Sequence, residues 1–142
     1  MVAADDRPGS RRLDRGPVKV LTDTHSLVWA LADPGQLSVG ARKVLSQAEV
    51  TASAANLWEL VLKRHKKDAL LADPLSWWER YVVETGIPAL GIRVNHVRAL
   101  ARLPDIHKDP FDRILVAQSM VEKLPLVTKD SRLAEYGISV IW

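Results

Sequence analysis

The chain has 142 residues, 47% of them apolar and 26% charged, an ordinary composition for one globular domain that excludes a disordered or collagen-like chain. It has no cysteine, which removes disulfides, zinc–thiolate centres and thiol catalysis. Twenty Lys and Arg against seventeen Asp and Glu give a net charge of +3, which permits a polyanionic partner without pointing to one. Residues 1–17, MVAADDRPGSRRLDRGP, lack periodic apolar content and the apolar stretch of a secretory signal. They read as a flexible leader ahead of one folded unit at 18–142. No apolar run approaches the ~18 residues of a membrane span, so the expected compartment is the cytoplasm. Val18 to Thr22 is a short apolar run with β-branched residues, a buried strand ending at Asp23. Ser26 to Ala32 reads as a helix that stops at Asp33-Pro34-Gly35, and Ser38 caps a second helix from Val39 to Gln47. Glu49 to Ser53 is the next strand, and a helix follows from Ala54 to Lys67. Asp73-Pro74 opens a helix to Glu84, with proline in the first turn, where its missing N–H costs nothing. Then come a strand from Ile87 to Ile92, a short helix from Asn95 to Arg102, and a long helix from Phe111 to Glu122 behind Asp109-Pro110. Pro125 to Thr128 is a strand, Ser131 to Tyr136 a short helix, and Ile138 to Trp142 a last strand. Short apolar strands alternating with amphipathic helices predict an α/β fold, a three-layer α/β/α sandwich around a mostly parallel sheet.

In such folds ligands bind beyond the carboxyl ends of the strands. Asp23 follows the first strand, and Asp130 follows the PLVT strand with only Lys129 between it and Thr128. Glu59 lies one and a half turns into the helix after the second strand, and Asp112 in the first turn of the helix before PLVT. All four can face one sheet edge. Four carboxylates in a small volume raise one another's pKa and call for a counter-charge. A hard divalent cation supplies it, because Mg2+ and Mn2+ take carboxylate and water oxygens and need no cysteine or histidine. Beside a polyanion, such a centre suggests metal-assisted phosphodiester hydrolysis. Each acid also has a plainer role. Asp23 can cap a helix, Asp112 can complement a helix dipole, Asp130 can cap the helix at Ser131, and Glu59 can pair with Lys63 one turn on.

The segments LTDTHSLVWAL (21–31), TASAANLWELVLK (51–63), LPDIHKDPFDRILVAQS (103–119) and LVTKD (126–130) resemble PIN-domain ribonucleases. In particular they resemble the VapC-type toxins of VapBC toxin–antitoxin modules. The resemblance runs from residue 18 to 142, and its four family acids fall on Asp23, Glu59, Asp112 and Asp130. It implies a catalytic and metal-binding site made of those four residues. It also implies an Mg2+- or Mn2+-dependent endoribonuclease that leaves 5′-phosphate and 3′-hydroxyl ends. A VapB-like antitoxin partner and a homodimer follow from the same resemblance.

Asp109 reads as a helix cap or as a group behind Asp112, and Thr128 as a strand residue or as an aid to a bound water. The histidines His25, His96 and His107 look too scattered for a metal site. Lys63 to Lys67 is the densest basic run, serving either the helix dipole or a phosphate track, with Arg113 and Lys129 as further phosphate contacts. Trp29 and Trp58 fit core or dimer packing, whereas adjacent Trp77 and Trp78 point to different helix faces, so at least one is expected to be partly exposed, and an exposed one could seat an antitoxin helix. Two other acid-dependent folds fit less well. A dehalogenase-type phosphatase needs an acid where His25 stands, and Asp23 lacks the adjacent acid of a phosphorylated receiver domain. A non-enzymatic rival remains, a catalytically idle PIN-like scaffold that binds RNA or a partner.

Overall fold

A computed structural model describes residues 17–142, so the expected leader lies outside the described residues except for Pro17. Five strands form one parallel sheet in the order β3-β2-β1-β4-β5. They are β1 (Lys19–Thr22), β2 (Glu49–Ser53), β3 (Ala89–Leu90), β4 (Leu126–Val127) and β5 (Val140–Ile141). β1 is central, with Leu21 in register with Thr51 on one side and Leu126 on the other. The chain adds strands outward from β1 to β3, then returns to build β4 and β5 on the opposite side. The order therefore reverses between β1 and β4, which places a crevice at their carboxyl ends.

Both faces of the sheet are covered. Val20 and Val127 pack with Leu37 and with Ala41 of the following helix α2 (Val39–Gln47) on one face. Leu21 and Leu126 pack with Ile114, Leu115 and Ala117 of α6 (Pro110–Glu122) on the other. This alternation along one strand, with Val20, Leu21 and Thr22 all fully buried, is the mark of a doubly covered parallel sheet. The expected α/β/α sandwich is what forms.

The remaining helices are α1 (Thr24–Ala32), α3 (Ala54–Leu62), α4 (Pro74–Trp78) and α5 (Val94–Ala101). Three departures from expectation bear on function. α3 ends at Leu62, five residues short of Lys67, and a series of tight turns follows. Leu70 and Leu71 pack against the cluster of Leu27, Val28, Ala52 and Leu60, and this burial draws the chain back across the helix end. Second, Trp77 and Trp78 are both buried in that same cluster, contrary to the expectation that one is partly exposed. The helix opens into a π-helical turn at Glu79–Val83, and Trp77 lies against Tyr81 with ring centroids 5.6 Å apart. Third, β3 is only two residues long, because Pro88 before it has no N–H to offer a ladder.

Candidate active site

The backbone around Asp23 is fixed from three directions. Asp23 caps α1, its Oδ1 accepting the Ser26 N–H at 2.9 Å, and its own N–H donates to Val127 O across the sheet. Asn56 of α3, fully buried, donates through Nδ2 to Thr22 O and to Thr24 Oγ1, both at 3.2 Å. Its Oδ1 accepts the Ser53 N–H at 2.7 Å, so one amide ties the end of β1 to the end of β2. Gln118 does the same for α6. Its Oε1 accepts from Ser53 Oγ at 2.6 Å and its Nε2 donates to Gly91 O. Neither amide carries a sequence signal beyond its place in the segments ANLW and LVAQ.

Asp23, Glu59, Asp112 and Asp130 line one open cleft of about 380 Å³. His25, Lys63, Asp109 and Lys129 share its walls. The four acids are not equivalent. Glu59 is buried on α3 and its Oε2 accepts from Lys63 Nζ, which also lies 5.5 Å from the centre of the Phe111 ring. Asp130 caps the 3₁₀ helix Ser131–Tyr136 and is held by the Arg132 guanidinium, with Nε 3.1 Å from Oδ1 and Nη2 3.0 Å from Oδ2. Hydrogen bonds from Arg132 hold its carboxyl below the usual carboxylate range. Asp23 and Asp112 behave oppositely. Burial raises the Asp23 carboxyl against the pull of its hydrogen bonds with Ser26. Burial pushes Asp112 up to about 7, and the carboxylates of Asp109, Asp23 and Glu59 push in the same direction. Lys63 and Arg132 thus pair with Glu59 and Asp130, whereas Asp23 and Asp112 have no Lys or Arg partner among the described residues.

His107 belongs to this site, which corrects the reading of the histidines as scattered. Its ligand atoms and those of Asp112 and Asp130 lie within 4.8 Å of one another, a grouping that could hold a metal ion. Its Nδ1 accepts the Asp109 N–H at 3.1 Å, and its Nε2 lies 2.9 Å from Asp130 Oδ2, 3.6 Å from Asp112 Oδ2 and 3.1 Å from Arg132 Nη2. The loop carrying it is clamped by Tyr136, whose Oη accepts the His107 N–H at 2.8 Å. Arg113 Nη1 donates to Pro104 O, at 2.9 Å, and to His107 O. Arg113 is therefore committed to this loop, which corrects its reading as a phosphate contact. His25 lies against Trp29 at the cleft wall, and His96 is fully buried with Nε2 2.8 Å from Glu122 Oε2. Asp109 caps α6, accepting the N–H groups of Phe111 and Asp112. Trp58 is 52% exposed and meets the edge of Phe111 at 4.8 Å, so it lies outside the core.

The PIN domain family model matches residues 20–138. Ribonuclease VapC22 of Mycobacterium tuberculosis is 32% identical over 119 residues, covering 82% of this chain and 91% of its own length. Among solved structures, VapBC2 from Rickettsia felis, bound to a DNA fragment from its promoter, aligns with a TM-score of 0.62 at 12% identity, covering 87% of this chain and 97% of that one. VapBC-5 from Mycobacterium tuberculosis, of the VapBC family of toxin–antitoxin systems, aligns with a TM-score of 0.55 at 17% identity, covering 87% and 96%. At these identities the two structures speak for the fold, and the family model and VapC22 for kinship. The chain belongs to the PIN-domain family, in its VapC branch.

Proposed function

We propose that this protein is a metal-dependent endoribonuclease, the toxin of a toxin–antitoxin pair, and that it hydrolyses RNA phosphodiester bonds in the Asp23–Asp112 cleft. One observation carries the reading. Four acids from separate elements line one cleft, where Glu59 and Asp130 are paired with Lys63 and Arg132 while Asp23 and Asp112 have no Lys or Arg partner among the described residues and burial raises both carboxyls. The donor set fits Mg2+ or Mn2+, since the cleft gathers four carboxylates and offers no thiolate. Asp23 and Asp112 would hold the ion directly, with Glu59 and Asp130 completing the site through water. When bound, the ion would neutralise the phosphate and acidify the attacking water.

The chain's own groups do the rest. With the ion in place, the water oxygen would bond to phosphorus as the P–O3′ bond breaks; one of the four cleft carboxylates would take the water's proton, and the leaving 3′-oxygen would take one from solvent. The products are a 5′-phosphate and a 3′-hydroxyl. Lys63 and Lys129 stand at the cleft walls to meet phosphate oxygens. His107 Nε2 holds Asp130 in place at 2.9 Å and stands 3.6 Å from Asp112. We extend to this chain a VapB-like antitoxin, a homodimer and a cytoplasmic site of action. Among the described residues no helix is long and apolar enough to cross a membrane. The exposed Trp58 and Leu62, one turn apart on α3, offer an apolar face to a protein partner.

The test is total cellular RNA incubated with the purified wild type or Asp112→Asn, in Mg2+, Mn2+ or EDTA. Cleavage by the wild type alone, and only with metal, is the expected result. Identical backgrounds combined with tight antitoxin binding would move the protein to the idle-scaffold reading.

A further inference from the structure

Beside the acidic cleft lies a second, smaller cavity of about 130 Å³. The two share Thr24, His25, Glu59 and Lys63, so whatever fills one is a neighbour of whatever fills the other. The rest of the small cavity is built by the early end of α3. Past Leu62 the N–H groups of Arg64, Lys66 and Ala69 donate to the carbonyls of Val61, Lys63 and Lys66, and the chain doubles back. That reversal sets Ala69 and Leu70 opposite Leu60 as apolar walls, with Lys66 and Asp68 as the polar part of the lining. A helix running on to Lys67 would leave no such enclosure.

Size and chemistry narrow the occupant. A cavity of about 150 Å³ takes a benzene ring, so this one suits a single six-membered ring and is tight for a fused bicycle. Apolar walls suit the faces of a planar ring. Asp68 adds a hydrogen-bond acceptor, the group that pairs with the exocyclic amine of cytosine. Uracil turns a carbonyl oxygen to the same place and meets like charge. Lys66 stands ready for the adjoining phosphate.

We propose that the cavity between α3 and the 63–70 turn is a base-selecting subsite, which receives the nucleotide beside the scissile phosphate and prefers cytosine over uracil and purines. The proposal rests on the RNA-cleavage reading and adds a substrate preference to it.

Four fluorescent oligoadenylates, each with A, C, G or U at one central position, test it. Affinity is measured by anisotropy on the Asp112→Asn chain, which binds without cutting, and cleavage is measured on the wild type. The cytosine oligonucleotide is expected to bind about tenfold tighter than the other three and to be cut beside the cytosine. Asp68→Asn removes the advantage over uracil while leaving the purine affinities unchanged. Ala69→Leu, which narrows the cavity, lowers cytosine binding to the level of the purines. Equal affinity for all four bases, or a cytosine preference that survives both substitutions, overturns the proposal. Absence of cleavage with the base preference intact would instead count against the nuclease reading alone.

Discussion

Replacing Asp112 by asparagine should stabilise the metal-free protein while removing its activity. The Asp112 carboxyl titrates at about 7 in the fold against 3.8 when unhindered, because it is buried and faces Asp109, Asp23 and Glu59. A folded-state pKa above the unfolded one means that the native state binds the proton more tightly. The protonated form is then favourable below pH 3.8, and its advantage is lost as pH rises toward 7. At 1.36 kcal/mol per pKa unit, the charged form costs the fold up to about 4 kcal/mol above neutral pH. The side chain is 24% exposed, and solvent screening reduces this to about 2 kcal/mol. Asparagine keeps the shape and never ionises. In EDTA at pH 8 the variant should therefore melt about 8 °C above the wild type. The gap should shrink steadily toward pH 4. Thermal unfolding followed by circular dichroism at four pH values reads both effects. A variant no more stable than the wild type at pH 8, or a gap independent of pH, would refute the claim that uncompensated charge accumulates here.

Three further outcomes follow from the same geometry. Mn2+ at 100 times its dissociation constant should stabilise the wild type by about 2.7 kcal/mol, reversibly with EDTA, and Asp23→Asn should show no such shift in a melting assay. His107→Ala should lower activity about 10- to 100-fold through loss of the Asp130 contact, whereas His107→Gln, which keeps an N–H near the same place, should recover much of it; equal losses in both would remove His107 from the positioning role. Asn56→Ala leaves Thr22 O and the Ser53 N–H without their buried partner, and should cost about 2 kcal/mol in urea unfolding, together with activity.

The alternation of strand and helix was enough to place Asp23 and Asp130 at one sheet edge, since a parallel sheet with β1 at its centre aligns their strand ends. Glu59 and Asp112 followed from their distance to those ends along a helix. His107 was not legible. Its role depends on a loop folded over α6 and fixed by Arg113 and by Tyr136, 29 residues further on, and no local pattern encodes that contact. The end of α3 was missed for a related reason. Lys63 to Lys67 has good helix propensity and no Gly or Pro, yet burial of Leu70 and Leu71 overrides it. Trp77 and Trp78 are both buried because the Leu27, Val28, Ala52 and Leu60 cluster, with Leu70 and Leu71, packs around them, contacts that helical spacing alone does not show.

Metal-dependent cleavage in this cleft is tested most directly by the rate at which one uniform single-stranded RNA is cut as Mn2+ is titrated into the wild type and into Asp23→Asn, with the new ends mapped chemically. It calls for a rate that saturates with metal in the wild type, products carrying 5′-phosphates, and no cleavage by the variant. Equal cutting by the two proteins, or cutting that persists in EDTA, would contradict it.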